Sequence, residues 1–139
     1  AFAREHELDN IEFVGHLKTA ELTDLVQGAT FTVVPSEWYE NYSMTIIESL
    51  ASGTPVIGAD IGGIPEQVKD GWNGLLFPSG NAQALAAKIN VMLDDPAAAV
   101  EMGRHGHQQV DTINSPESHY DQTMQAYYRA MGRPQPELL

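Results

Sequence analysis

The sequence predicts an α/β fold built on a doubly wound parallel sheet. Two observations carry that expectation. Short β-branched runs alternate with helical stretches of roughly 10–15 residues, which is the pattern of repeated βαβ units. The run at residues 55–58 (PVIG) lacks polar alternation, which suits a strand covered on both faces.

Taken in order, residues 1–8 (AFAREHEL) look helical and feed directly into residues 11–14 (IEFV), a strand ending at Gly15. A doubly wound domain usually opens on a strand and a phosphate-binding βα turn. The start is therefore expected to lie inside a domain. Residues 19–28 (TAELTDLVQG) place Leu22, Leu25 and Val26 at helical spacing behind Thr19, a residue type suited to an N-cap. Residues 30–34 (TFTVV) read as a second strand, stopped by Pro35 and Ser36.

Residues 43–52 read as a helix with Met44, Ile47, Leu50 and Ala51 on one side and Gly53 just past its end, where a C-cap glycine belongs. The third strand, 55–58, leads through a loop, a short helical turn and a second loop (59–71) to a fourth strand at 74–77 (GLLF). Residues 81–93 form a helix capped by Asn81, with Leu85, Ile89, Met92 and Leu93 marking its apolar side. Pro96 opens another helix at its first turn, expected to run to about Val110. Residues 115–131 form the last helix, in which Tyr120, Tyr127 and Tyr128 are expected to make core or interdomain contacts, and Pro134 and Pro136 imply an extended tail. This alternation implies parallel strands but leaves their order open.

Composition narrows the function. At 139 residues the chain has the size of one domain. Apolar content of 42% is that of a soluble globular protein. The charged first residues do not read as a signal peptide, so none is expected among them, and no run approaches the ~18 apolar residues of a membrane span. Cysteine is absent, so no thiol nucleophile or thiolate metal site exists. Nineteen acids against seven bases give a formal net charge of −12, which leaves no basic stripe for a nucleic acid backbone. His105 and His107, two apart on a helix, point away from each other and do not make a zinc site.

Ligands of an open parallel sheet sit beyond the carboxyl ends of the strands. The loop at residues 35–42 occupies such a position and is rich in acidic and aromatic groups. The helix it enters offers its first backbone N–H groups, those of residues 43–46, and its positive dipole end, so a diphosphate can bind there without a P-loop. Glu40 precedes this helix and Glu48 lies about a turn inside it. Carboxylates accept hydrogen bonds from sugar hydroxyls well. Two glutamates eight apart carry little meaning by themselves in a chain with nineteen acids. Trp38 and Tyr39 have two readings, stacking on a sugar or base, or packing of the loop. Gly62 and Gly63 read as turn glycines with positive φ, and Glu66 as a first-turn acid of a short helix.

The surrounding elements give the pair its context. Glu40 to Glu48 forms a Glu-x7-Glu element, followed by GTPVIG at 53–58, GGIPE at 62–66 and DGWNGLL at 70–76, with F-x-G upstream at 13–15. Across residues 11–93 the order and spacing of these elements resemble the C-terminal domain of family 4, or group 1, retaining glycosyltransferases. Their GT-B fold sets two Rossmann-like domains face to face. The resemblance implies that residues 1–133 are an incomplete C-terminal, nucleotide-sugar-binding Rossmann-like domain, with 134–139 a tail and an N-terminal domain missing as its partner.

The resemblance also implies roles. Glu40 would contact the transferred sugar at the reaction centre, as the catalytic residue, and Glu48 would hold the ribose hydroxyls. Backbone amides around Tyr42, Ser43, Met44 and Thr45 would receive the diphosphate, and His16 and Leu17 would border the base. Tyr42-Ser43 stands where the family often has phenylalanine-glycine, which bears on donor fit. No lysine or arginine lies between Thr19 and Ile64, and Lys18 is the nearest base before the motif. No metal and no cofactor are implied; the nucleotide-diphosphate sugar is a substrate. The expected reaction is transfer of its sugar, with retention, to an acceptor hydroxyl by a longer polypeptide, this chain being inactive alone. A cytoplasmic location is expected, with the full-length enzyme free to lie peripheral to a membrane. The competing readings are a non-catalytic αβ nucleotide-binding or scaffold domain and a GT-B nucleotide-sugar epimerase.

Overall fold

The structure, a computed structural model, describes residues 2–113 and 115–133. In chain order the elements are α1 (Phe2–Glu5), α2 (Thr19–Gln27), β1 (Thr32–Val34), α3 (Met44–Ala51), β2 (Val56–Asp60), α4 (Ile64–Gln67), β3 (Gly74–Pro78), α5 (Ala82–Asp94), α6 (Pro96–Ile113) and α7 (Pro116–Ala130). The tail expected at Pro134 and Pro136 lies outside the described residues.

The three strands form one parallel sheet in the order β1-β2-β3. Val33 pairs with Ile57, and Ile57 with Leu75. Residues 56–59 of the central strand are buried in succession, so both of its faces are covered, as the missing polar alternation required. The core gathers Ile57 and Val56 from the sheet, Ile46 and Leu50 from α3, Ile64 from α4 and Met92 from α5. Each such side chain contributes about 1.5–3 kcal/mol by leaving water.

The ends of the helices follow local chemistry. The Asn81 side chain accepts from the amide of Ala84 (2.9 Å) and opens α5. Ser115 does the same for α7 through Ser118 (3.1 Å). Gly53, at φ +75°, carries the chain away from α3 in the left-handed region.

Four expectations need correction. Residues 11–14 are not a strand; Phe13 is 84% exposed, and Ile11 and Val14 are exposed too. A strand exists through its ladder, and no described strand runs beside this segment. Thr19 is the first helical residue of α2, not its cap. Lys18 holds the cap position, and its own N–H donates to the Glu21 carboxylate (2.9 Å), which settles the helix start one residue earlier. Helix α6 runs on to Ile113, past Val110. Its Gly103 and Gly106 let it lie directly on α3 and the turn after it, where a Cβ would meet the Gly53 carbonyl and the Leu50 side chain. Finally, α7 has no buried residue, and Tyr120 and Tyr127 are exposed, so of the two contacts expected of them the one with this chain's core is absent.

Candidate functional site

Loops from all three strand ends meet around Glu40. The loop after β1 leads into α3, and two neighbours brace it. The Gly63 amide, following β2, donates to the Glu40 carbonyl (2.8 Å). The Ser79 hydroxyl, following β3, donates to the Ser36 carbonyl (3.0 Å). Gly62 has the positive φ expected of it, +58°. Gly63 does not: it is a glycine because a Cβ there would collide with the Asn41 carbonyl. The two loops touch backbone to backbone.

Within this frame the Glu40 carboxylate is oriented from one side. Oε1 accepts from Trp38 Nε1 (3.0 Å) and from the Ser36 hydroxyl (3.3 Å). Trp38 and Tyr39 are not packed into the loop; they are 65% and 84% exposed, and Trp38 lies beside the carboxylate it bonds. An aromatic face next to a hydrogen-bond acceptor is suited to the apolar and polar sides of a sugar ring.

Helix α3 begins at Met44 with buried Ser43 as its cap residue. The Ser43 N–H does not face the crevice. It donates to Gln67 Oε1 (2.8 Å), while Gln67 Nε2 donates to the Ser43 carbonyl (3.1 Å). The donors that the helix geometry leaves without an intrahelical acceptor are therefore those of Met44, Thr45 and Ile46. Ser49 fixes the helix body, with its hydroxyl 2.7 Å from that of Thr32 on β1 and donating to the Thr54 carbonyl (2.9 Å).

Glu48, one turn into α3, is exposed. With Thr45, Ser52 and, from α2, Thr19, Leu22 and Val26 it lines a cavity of about 550 Å³ between the two helices. The Thr54 hydroxyl donates to the Val26 carbonyl (2.8 Å) and pins the far end of α2 beside this cavity. His16 and Leu17 lie in the bend immediately before α2, His16 exposed and Leu17 half-buried. The side chains of Tyr42 and Met44 face elsewhere, into a second cavity of about 660 Å³ walled by α3, α4, α6 and α7. Thus Thr45 and Glu48 share a cavity, Glu40 stands in the braced loop ahead of them, and Tyr42 and Met44 contribute side chains to another wall.

His105 stacks on Trp72 (4.9 Å between centroids) and bonds the Trp72 carbonyl through Nδ1 (2.9 Å), whereas His107 bonds the Ala51 carbonyl (2.8 Å). The two histidines do point apart. Among the described residues no three His, Asp or Glu side chains form a metal-binding group, and no helix is long and apolar enough to cross a membrane. Glu66 lies in the first turn of α4. The polar cluster of Gln67, Asn73 and Gln109 escaped the sequence reading. No local signal marks it, because Gln67 and Gln109 have ordinary helix-surface chemistry and are buried only by packing between distant segments.

Residues 1–109 match the family model for glycosyl transferases group 1. The chain belongs to the group 1 glycosyltransferases. It is 36% identical over 140 aligned positions to a glycogen synthase of Mycobacterium tuberculosis, covering 98% of this chain and 34% of that protein. It is 37% identical over 102 to a D-inositol 3-phosphate glycosyltransferase of Corynebacterium aurimucosum, covering 73% and 24%. Among solved structures it resembles sucrose-phosphate synthase from Thermosynechococcus elongatus (TM-score 0.82, 35% identity, 94% of this chain and 33% of that one). The Anabaena protein HepE, solved in complex with UDP, is also similar (TM-score 0.75, 26% identity, 89% and 35%). This group 1 chain spans about a third or less of the length of these curated relatives. Its parallel α/β unit is that of the C-terminal domains of GT-B glycosyltransferases.

Proposed function

We propose that the chain is the donor-binding part of a longer, retaining and metal-independent glycosyltransferase, which moves a sugar from a nucleotide-diphosphate sugar to an acceptor hydroxyl. One observation carries this proposal. A helix start with exposed residues Met44 and Thr45, whose amides have no intrahelical acceptor, lies between a cavity bearing Glu48 and a braced loop bearing Glu40. That order matches the parts of the donor: nucleoside, diphosphate, sugar.

In this arrangement Glu48 accepts from the ribose hydroxyls, and His16 and Leu17 border the base. The amides and dipole of α3, with the backbone at Tyr42 and Ser43 shaping the approach, hold the diphosphate. As the bond from the anomeric carbon to the β-phosphate oxygen breaks, negative charge grows on that oxygen, and the positive helix end stabilises it without a metal. Glu40 contacts the departing sugar. The acceptor oxygen bonds to the anomeric carbon with net retention, and its proton passes to the departing phosphate oxygen. Retention rests on the resemblance of the 40–76 motif block to retaining enzymes. The UDP-bound structures of HepE support a nucleotide ligand. The small share of each relative that the chain covers supports a partner domain supplied by the rest of the protein, and low activity for the chain alone. A cytoplasmic location is part of the proposal.

Calorimetric titration of the whole protein with UDP, GDP and ADP tests this. Saturable binding of one of them is expected, weakened by about tenfold or more in Glu48→Ala, as for loss of a charged hydrogen-bond acceptor. No binding, or binding indifferent to Glu48, would overturn it.

A further inference from the structure

We propose that Gln67 is a positioning residue for the donor diphosphate; this rests on the donor-site assignment above. Gln67 does not reach the crevice. It is 2% exposed, and its amide closes both backbone groups of Ser43, accepting from the N–H (2.8 Å) and donating to the carbonyl (3.1 Å). Ser43 is the cap residue of α3, so this two-point bond sets where the helix starts and how its first three amides are aimed.

Gln67 is itself fixed. Its backbone carbonyl accepts from Asn73 Nδ2 (3.0 Å) and from Gln109 Nε2 (3.1 Å). Asn73 Nδ2 also donates to Gln109 Oε1 (3.1 Å), and Asn73 Oδ1 accepts from the Lys69 amide (2.7 Å). Asn73 and Gln109 are buried. Side chains from α6 and the turn before β3 thus hold α4, and α4 holds the start of α3. Apolar packing would attach α3 to the sheet equally well, and buried amides carry a desolvation cost. What the network adds is direction, since hydrogen bonds fix angles as packing does not. The group so fixed is the cap that precedes the open amides, where a misplacement of about 1 Å weakens catalysis strongly.

The test uses the whole protein with Gln67→Met, which keeps the volume and loses both bonds, and Gln67→Glu, which keeps the acceptor. Two quantities are compared in folded variants: hydrogen exchange of the peptide covering residues 42–47, and affinity for the preferred nucleoside diphosphate against its bare nucleoside. In Gln67→Met exchange is expected to rise by about tenfold, diphosphate affinity to fall by about tenfold, and nucleoside affinity to stay within about twofold. Gln67→Glu is expected to lie between wild type and Gln67→Met in both. If Gln67→Met does not fold, Gln109→Leu removes one of the two donors to the Gln67 carbonyl, with a selective loss of about threefold expected. An unchanged diphosphate affinity, or equal losses for nucleoside and diphosphate, would overturn the proposal. If wild type binds no nucleoside diphosphate while exchange still rises in Gln67→Met, the donor-site assignment fails, and Gln67 is a structural clamp only.

Discussion

The amide of Gly63 donates to the carbonyl of Glu40 at 2.8 Å, so the loop after β2 is fastened to the loop that carries the candidate catalytic carboxylate. This contact exists because neither Gly62 nor Gly63 has a side chain to hold the backbones apart. It places the glycine pair of the GGIPE element in the architecture of the Glu40 loop.

Gly63→Ala is therefore expected to be costly. Its Cβ would enter the Asn41 carbonyl, and neither backbone can yield without losing the Glu40 bond. A destabilisation of about 2–3 kcal/mol follows for such overpacking. Gly71→Ala is the control: φ is +76° with nothing near the added carbon, so only the left-handed strain of about 1–2 kcal/mol applies. Urea unfolding of both variants measures the difference, and equal midpoints would show that Gly63 is not held by contact.

Trp38→Phe removes the indole donor from Glu40 Oε1 and leaves the exposed ring in place. Stability should change by less than about 0.5 kcal/mol, as for surface substitutions. The turnover of the whole enzyme should fall by about threefold to tenfold, because one of two donors orienting the carboxylate is gone. Steady-state kinetics with the preferred donor decides this. Unchanged turnover would separate Glu40 orientation from catalysis.

Asn73→Ala should be among the most damaging polar substitutions. Asn73 is fully buried and makes three hydrogen bonds, to Gln67, Gln109 and Lys69. Its loss strands the Lys69 N–H, so a destabilisation of about 2–4 kcal/mol is expected. Chemical denaturation measures it, and a loss below about 1 kcal/mol would mean that water replaces the side chain.

Much of this architecture was legible wherever the signal is local. Asn81 as a cap, Gly53 beyond α3 and the unalternating strand at Val56 each act through neighbours in sequence, and each was found in its place. Residues 11–14 failed because a β-branched run becomes a strand only beside a partner, and sequence does not show partners. Thr19 lost the cap to Lys18 because Glu21 satisfies the backbone there, a choice that depends on a side chain three residues further on. Within the candidate site, the helix start was readable from the strand-to-helix pattern, whereas Glu40 and Glu48 were named through the resemblance of their motif block. Gln67 was not, since its burial depends on Gln109, far along the chain. The Ser43 amide, counted among the anion donors from its position alone, turned out to be occupied by that residue.

The central claim is that one donor lies along the Glu48 cavity, the start of α3 and Glu40. Its most direct test is a crystal structure of the whole protein with its preferred nucleotide-diphosphate sugar. The ribose hydroxyls are predicted within hydrogen-bond distance of Glu48, the diphosphate on the amides of Met44 and Thr45, and the sugar against Glu40. A nucleotide bound in the cavity walled by Tyr42, Lys69 and His119 instead, with the start of α3 empty, would contradict the account.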